Sequence, residues 1–302
     1  MNQQDRIQLF SEKKFLQERL AELPGAARLM RISTESRLRA VEKRLAHDPV
    51  NEREPVRVRL IFNGRPVVSN HGIFAEFGMK AVTSFTEAVT AIAASLNGPL
   101  AAMGPIPNRE QHQLLITSTA MGSFGFELEE YRAGQLLFEE ESLVAQALER
   151  TQNLLQGTVG TDDQLADSAS ETDPRALDKV RAFLQTLSDA EATCTMQYQD
   201  KGFRFTDVGQ VRNSLVRLGR DNLLEDEQFL DGEFLGVLPK GRTFEFKLTG
   251  QDEVIRGKVG MVISDAARLN QHLHCPTHIK VMVTRVGSGR PRYVLVEEPL
   301  WI

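Results

Sequence analysis

The sequence predicts an α+β fold with three parts: an N-terminal helical hairpin, an antiparallel sheet packed with helices, and a small C-terminal β-barrel. In the first 50 residues, apolar residues recur at helical spacing among charged ones. Residues 56–155 alternate β-patterned hairpins with long apolar helical segments, and the last 70 residues hold five short strand patterns with glycines at their bends. A chain of 302 residues, 41% of them hydrophobic, is long enough to bury the cores of about two domains.

The net charge and the two cysteines limit the classes of protein to which this sequence could belong. The net charge of −5 argues against a strongly basic nucleic-acid binder, although it leaves room for a local basic patch. Cys194 and Cys275 lie far apart and outside any CxxC pattern, so we expect reduced thiols rather than a disulfide framework. The sequence shows neither a secretory signal nor an apolar run that could span a bilayer. We therefore expect a bacterial cytoplasmic protein that makes no membrane contact and uses no cofactor.

Residues 1–50 are predicted to form a helical hairpin arm. One helix is expected over residues 3–23 and a second over residues 27–47, with the stop signal Leu23-Pro24-Gly25 between them. Charges of both signs flank the apolar stripes, as they do in coiled coils, and this favours an arm for oligomerisation or partner docking. The alternative is a hairpin that packs on its own domain.

Residues 51–157 are predicted to form the α+β sheet domain. The alternating segment Val56–Phe62 is followed by Asn63-Gly64, a strong turn signal, so we expect it to pair with Arg65–Val68 in a hairpin. The other elements expected here are a buried helix over residues 73–97, a second hairpin that turns at Met121-Gly122-Ser123, and a helix over residues 139–155.

The remainder of the chain is predicted to contain a linker, a connector and the barrel. Residues 158–173 are acidic and rich in small polar residues, and we expect them to form an exposed linker. Residues 174–231 should form a connector of a helix that begins at Asp173-Pro174, a short hairpin and a second short helix. Residues 232–302 should form the barrel, whose strand count and turn placement are similar to those of SH3-like or OB-like barrels.

Two arginines and two glutamates form the first candidate site. Arg57 and Arg59 share one face of their strand, and Glu127 and Glu129 share one face of theirs. The carboxylates could bind a divalent ion or do acid–base chemistry together with His71, and the arginines could hold an anion. Alternatively, the four charged side chains form cross-strand ion pairs or a solvated sheet face.

The bend of the second hairpin is the next candidate. Its sequence, GSFGF over residues 122–126, is neither a phosphate-binding loop nor a nucleophile elbow. Gly122, Ser123 and Gly125 could contact a ligand or a partner protein. The alternative is a glycine bulge that allows two phenylalanine rings to pack into the core.

The C-terminal region contains one pattern that resembles a metal site. His272, His274, Cys275 and His278 could together supply three ligands to a metal ion. No second cysteine pair and no carboxylate lies within this cluster, which favours a polar loop between barrel strands instead.

The barrel also carries basic residues that could bind nucleic acid. Arg242, Arg256 and Lys258 are interleaved with Phe244 and Phe246, a combination typical of faces that bind single strands. The two phenylalanines lie two residues apart, however, so packing inside the barrel explains them as well.

These observations favour a non-enzymatic protein-binding or assembly protein, a bacterial cytoplasmic accessory or regulatory component that acts as an oligomer. The N-terminal helices would contact partner proteins or other copies of the chain. One alternative is a nucleic-acid-binding accessory factor of a genome-maintenance or defence system that uses the C-terminal barrel. A further alternative is an enzyme without a recognisable motif, with His71, Glu127 and Glu129 in its active site.

Overall fold

The computed structural model describes residues 3–23, 28–46, 55–120, 124–131, 142–250 and 253–301 of the chain. The chain forms two compact units, residues 1–55 with 132–140 and residues 56–131 with 141–302. Its helices, antiparallel sheet and closed five-stranded barrel confirm the predicted α+β class. In the described ranges, no helix is both long and apolar enough to cross a lipid bilayer.

The smaller unit contains the predicted helical hairpin. Helices α1 (Gln3–Glu22) and α2 (Arg28–Ala46) pack together around an apolar cluster of Leu9, Leu16 and Val41. Charged side chains outside this cluster pair between the two helices, as the mixed charge pattern predicts. These pairs are Arg37 with Glu12 and Lys13 with Glu42.

The larger unit begins with a sheet and the helices that cover it. A single 3-10 turn, Arg109–His112, precedes the fourth strand. The elements, in chain order, are β1 (Arg57–Gly64), β2 (Val67–Val68), β3 (Gly72–Ile73), α3 (Ala75–Ser95), β4 (Leu114–Ala120), β5 (Phe124–Glu130), α4 (Leu143–Val159), α5 (Asp162–Ser170), α6 (Pro174–Asp189), β6 (Ala192–Tyr198), β7 (Lys201–Arg204) and α7 (Val208–Arg217).

Strand β1 lies at the centre of the antiparallel sheet, whose strand order is β4-β5-β1-β6-β7. It pairs with β5 on one side and with β6 on the other. Alternate residues of a strand face the same side, and Val58, Leu60 and Phe62 are all fully buried. Residues of α3, α4 and α6 join them in one apolar core, so the helices cover this face of the sheet.

The predicted hairpin between β1 and Arg65–Val68 is wrong. Both edges of β1 are occupied by β5 and β6, so the chain after Gly64 cannot return alongside it. Strand β2 pairs with β3 instead, and the N–H of Arg65 donates to the carbonyl oxygen of Glu191 at 3.2 Å. Position 64 still requires glycine, because its φ is +109° and an added Cβ would lie 2.3 Å from that same oxygen.

The helices begin largely where the capping signals predict. Helix α3 matches the predicted buried helix, and Phe85 is among its fully buried residues. Asp173 caps α6 and Pro174 occupies the first turn, as predicted. The predicted start of the preceding helix, at residues 139–141, lies outside the described residues, and Ser142 caps α4.

The predicted acidic linker at residues 158–173 is wrong. Helix α4 continues to Val159, and a capping box formed by Thr161 and Gln164 starts α5. Leu165 and two alanines of α5 are fully buried in the core of the larger unit. The small residues that suggest a linker instead allow close helix packing, since an added Cβ at Gly157 would lie 3.1 Å from the Cα of Leu165.

The last strands form the predicted closed barrel. Phe234, Phe244 and Phe246 are fully buried inside it. Its first strand begins at Leu223, whereas the predicted barrel begins at residue 232. The start of this strand is acidic and lacks a clear strand pattern, which is why the sequence does not indicate it. The strands are β8 (Leu223–Leu238), β9 (Thr243–Leu248), β10 (Val254–Val259), β11 (Thr277–Val286) and β12 (Arg292–Leu295), with β13 (Leu300–Trp301) added beside β11.

Pairing between β11 and β12 closes the barrel. The ring runs β12-β10-β9-β8-β11 and returns to β12, with β10 and β12 parallel and the other neighbours antiparallel. Closure leaves no free edge within the ring itself. The first half of β8 extends beyond the ring and pairs there with β11.

The packing of α5 predicts that Leu165→Ala destabilises the protein. Truncating a fully buried leucine leaves a cavity, so the free energy of unfolding should fall by about 2–5 kcal/mol in urea titrations. Leu238→Ala, at an exposed leucine, is the matched control and should have little effect. Equal effects of the two substitutions would contradict the packing of α5 in the core.

Candidate functional site

The first candidate site is a ladder of ion pairs on the sheet face that points away from the helices. Arg57 lies opposite Glu129, and Arg59 lies opposite Glu127, in the pairing of β1 with β5. Each arginine Nε donates to its glutamate, at 2.9 Å and 2.8 Å. His71 lies in an exposed turn between β2 and β3. The glutamates therefore have arginine partners, as cross-strand pairing predicts.

Gly125, in the second candidate site, allows two strands to approach closely. An added Cβ at this position would lie 2.1 Å from the carbonyl oxygen of Leu60 in β1. The neighbouring Phe126 packs against the core, as the glycine-bulge alternative predicts for one of its two rings. The predicted bulge itself is wrong, because the register of β5 with β1 is continuous through Gly125. Gly122 and Ser123 lie outside the described residues.

Strand β4 is an exposed edge of the sheet. It pairs with β5 on one side, and no strand in the described part of the chain pairs with its other side. Its sequence, LLITSTA, has no charge and no proline, and Leu115 and Ile116 are 44% and 59% exposed. Edge strands are usually protected by charges, prolines or bulges. The bulge between Ile116 and Ser118 is the device present in β4.

The basic residues predicted to bind nucleic acid make contacts within the protein. The Arg242 guanidinium donates to the backbone carbonyls of Val259, Gly260 and Ile263, at 3.1, 2.6 and 2.6 Å. Arg256 pairs at 2.8 Å with Glu245 on the neighbouring strand, and Lys258 pairs with Glu171 at the end of α5. The interleaved phenylalanines are buried in the barrel, in agreement with the packing alternative.

A groove of about 700 Å³ lies between the barrel and α5. Arg256 and Lys258 line it, together with Asp167 and Arg292, which are hydrogen-bonded to each other across it. Burial lowers the pKa of Lys258, Asp167 opposes that shift, and Arg150 adds to it. Basic and acidic groups thus meet across the groove, and their ion pairs join α5 to the barrel.

The residues predicted to bind a metal make separate contacts. The His272 ring stacks on Trp301 with centroids 4.3 Å apart, His278 pairs with Asp231, and His274 has left-handed backbone geometry. Cys275 is half-buried and forms no disulfide. Among the residues that the structure describes, no three histidine, cysteine, aspartate or glutamate side chains are grouped to hold a metal ion.

The structure contains a buried pair, His112 and Glu130, that the sequence does not predict. His112 is 2% exposed, and its Nε2 has no hydrogen-bond partner among the residues that the structure describes. Glu130, at the end of β5, is also buried and accepts a hydrogen bond from the Ser142 hydroxyl at 3.2 Å. Burial lowers the pKa of His112, and the nearby carboxylate of Glu130 opposes that shift. The two residues belong to no motif, and the pairing of β4 with β5 brings them together.

Comparisons of this chain with protein-family models, with curated proteins and with solved structures found no match. A functional proposal therefore rests on the arrangement of the chain's own residues. The structure brings together two of the predicted sets: Arg57, Arg59, Glu127 and Glu129 on the sheet, and Arg256 and Lys258 at the groove.

The contacts of Arg242 predict a structural role that can be measured. Arg242→Ala should lower the free energy of unfolding of the barrel by about 2–3 kcal/mol, because it leaves three carbonyls without their charged donor. Arg256→Ala, which removes an exposed ion pair, should change it by no more than about 0.5 kcal/mol. The single tryptophan, Trp301, reports barrel unfolding by fluorescence. Equal effects of both substitutions would contradict this assignment.

The burial of His112 predicts a loss of stability at acidic pH. Because its folded-state pKa is lowered, unfolding allows the imidazole to take up a proton near its ordinary pKa of about 6.5. The free energy of unfolding should therefore fall as the pH drops below about 6.5, and this dependence should be weaker in His112→Gln. His71→Gln, at an exposed histidine, is the control. An unchanged pH dependence in the His112 variant would contradict the prediction.

Proposed function

We propose that the protein is a non-enzymatic assembly protein, an accessory or regulatory component of the bacterial cytoplasm, whose copies associate through β4. The observation that carries the proposal is the exposed, uncharged edge Leu114–Ala120. An edge strand offers backbone N–H and C=O groups that a further strand can pair with. Leu115 and Ile116 add apolar surface that such pairing would remove from water.

A second copy of the chain is the partner that suits this edge. Two antiparallel β4 strands related by a two-fold axis present the same residues to each other, and such a contact requires self-complementarity. Because β4 has no charged residue, no like charges would meet there. The isoleucine and threonines of the strand favour extended backbone and cross-strand packing.

The described geometry gives less support to the two alternative functions. Nucleic-acid binding through the barrel would require cations that face outward, whereas Arg242 and Lys258 are engaged within the protein. An active site at Glu127 and Glu129 would require carboxylates available to a substrate, whereas both accept hydrogen bonds from arginines.

The two cysteines support the cytoplasmic part of the proposal. Neither Cys194 nor Cys275 forms a disulfide, as is usual for proteins of reducing compartments. Cys194 is buried in the core of the larger unit, and burial raises the pKa of its thiol far above the ordinary range. A buried thiol of this kind behaves as a small apolar side chain.

Self-association through β4 predicts that Ile116→Lys weakens assembly. The wild-type protein should run with the mass of two chains in size exclusion with light scattering, and the lysine should weaken the dimer by about tenfold or more. Val216→Lys makes a similar change at an exposed position on α7 and should leave the dimer intact.

Two outcomes would contradict the role of β4. A wild-type protein that remains monomeric at all concentrations would exclude self-assembly. An Ile116→Lys protein that still dimerises, while a chain without residues 1–50 becomes monomeric, would assign the contact to the helical hairpin instead. That second outcome would preserve the assembly function and correct its location.

A further inference from the structure

A second open strand edge lies at the start of the barrel. Strand β8 pairs with β11 along Leu223–Gly232, whereas its pairing with β9 begins at Gly232. The backbone of Thr249 also donates to the carbonyl of Asp231. Within the described ranges, residues 224–230 therefore have a strand neighbour on one side, β11, and no strand on the other.

This edge is regular and long enough to receive another strand. The register between β8 and β11 is continuous from Leu223 to Gly232, without a bulge, whereas β4 and the second half of β8 are both interrupted by bulges. At the usual rise of a strand, the open residues 224–230 span about 23 Å. A bulge-free strand presents evenly spaced backbone groups, which is the geometry that strand addition requires.

The side chains along the open edge combine acidic and exposed apolar groups. Leu224 and Phe229 are 51% and 74% exposed. They lie on opposite faces of the strand, because five positions separate them. Residues 224–230 have three acidic residues and no basic residue: Glu225, Asp226 and Glu227.

Nearby cations neutralise part of this acidic edge. Glu225 is half-buried and lies within electrostatic reach of Arg181 and Arg220. Asp226 and Glu227 therefore carry most of the exposed negative charge. Lys280 of β11 contacts Glu227 at 3.1 Å but also Glu297 at 2.8 Å, so one cation serves two carboxylates. The same ammonium lies 5.8 Å from the centroid of the Phe229 ring. The amide of Gln228, which carries no charge, is the hydrogen-bond donor to Asp226.

The acidic and apolar side chains of the open edge indicate what kind of strand could pair with it. A second copy of β8 would place acidic residues beside acidic residues, and like charges across a strand pair are destabilising. A strand that repeats two basic and then two apolar residues presents both kinds on each of its faces. It would instead place cations beside Asp226 and Glu227 and an apolar side chain beside Phe229. We propose that residues 224–230 of β8 receive an extended basic segment of another protein as an added strand. This inference does not depend on self-association through β4.

The direct test is peptide binding to the full-length protein. The probe is a fluorescein-labelled peptide that repeats two lysines and two valines, about eight residues long, which is enough to cover the open residues 224–230. Fluorescence anisotropy at low salt should show saturable binding. A peptide with glutamate in place of lysine, and one with proline at two central valines, should each bind at least about tenfold more weakly. The proline peptide keeps the charge but loses backbone donors.

Variants of the edge locate the binding site. Asp226→Lys should weaken binding by about tenfold or more, whereas Asp200→Lys, the same change in an exposed turn, should not. Phe229→Thr should also weaken binding, and Leu238→Thr, at an exposed leucine of the same strand outside the open edge, should not. Circular dichroism and urea unfolding establish that each variant is folded.

Three results would overturn the proposal. Absence of saturable binding by the lysine–valine peptide would do so. Equal binding of the proline peptide would show attraction by charge without strand addition. Equal effects of Asp226→Lys and Asp200→Lys would place binding on another acidic surface. Ile116→Lys should bind the peptide as the wild type does, so a failure of assembly through β4 remains distinguishable from a failure of this inference.

Discussion

The sheet domain depends on the pairing of β1 along both of its edges. A buried strand must satisfy its backbone N–H and C=O groups, and β1 can lie beneath the helices because β5 and β6 both pair with it. Two glycines permit this close contact. Gly125 brings β5 against the backbone of Leu60, and Gly64 brings the end of β1 against Glu191. With its backbone satisfied, β1 can commit Val58, Leu60 and Phe62 entirely to the core.

The barrel is joined to this sheet domain by packing and by charge. Leu223 and Val286, paired at one end of the β8–β11 ribbon, belong to the core of the sheet domain, whereas Phe234 belongs to the core of the barrel. The ribbon is therefore anchored at both ends in different apolar clusters. A further join is ionic: α5 contacts the barrel through its acidic residues, with Arg292 held by both Asp163 and Asp167.

Much of the fold could be predicted from the sequence because its local signals agree with its packing. In three places the local signal and the packing agree. They are the apolar periodicity of α3, the Asp-Pro start of α6 and the closely spaced phenylalanines of the barrel. The Asn-Gly turn predicted a hairpin that does not form. Strands β5 and β6, which are distant in the chain, occupy both edges of β1. The predictions for α5 and for the start of β8 failed because both segments are rich in acidic residues. Each is held in place by a few apolar residues on one face, and these are too few to stand out in the composition.

The candidate sites were less predictable than the fold, for a physical reason. The ion-pair ladder could be anticipated, since strand periodicity places Arg57 and Arg59 on one face. The role of Arg242 could not, because its partners are backbone carbonyls and have no sequence signature. His112 and Glu130 likewise meet through the register of β4 and β5. The sequence does not predict strand edges either. A strand is an edge when no other strand pairs with one of its sides, and this depends on the whole sheet.

The two exposed edges differ in how they are protected, and this difference is the basis for proposing different partners for them. Strand β4 has a bulge but no charge, so it resists long regular pairing yet does not repel an identical strand. The open half of β8 has charges but no bulge, so it repels an identical strand yet keeps the regular backbone that an oppositely charged strand can pair with. The two proposed contacts use different strand edges, so self-assembly at β4 and recognition of another molecule at β8 would not compete.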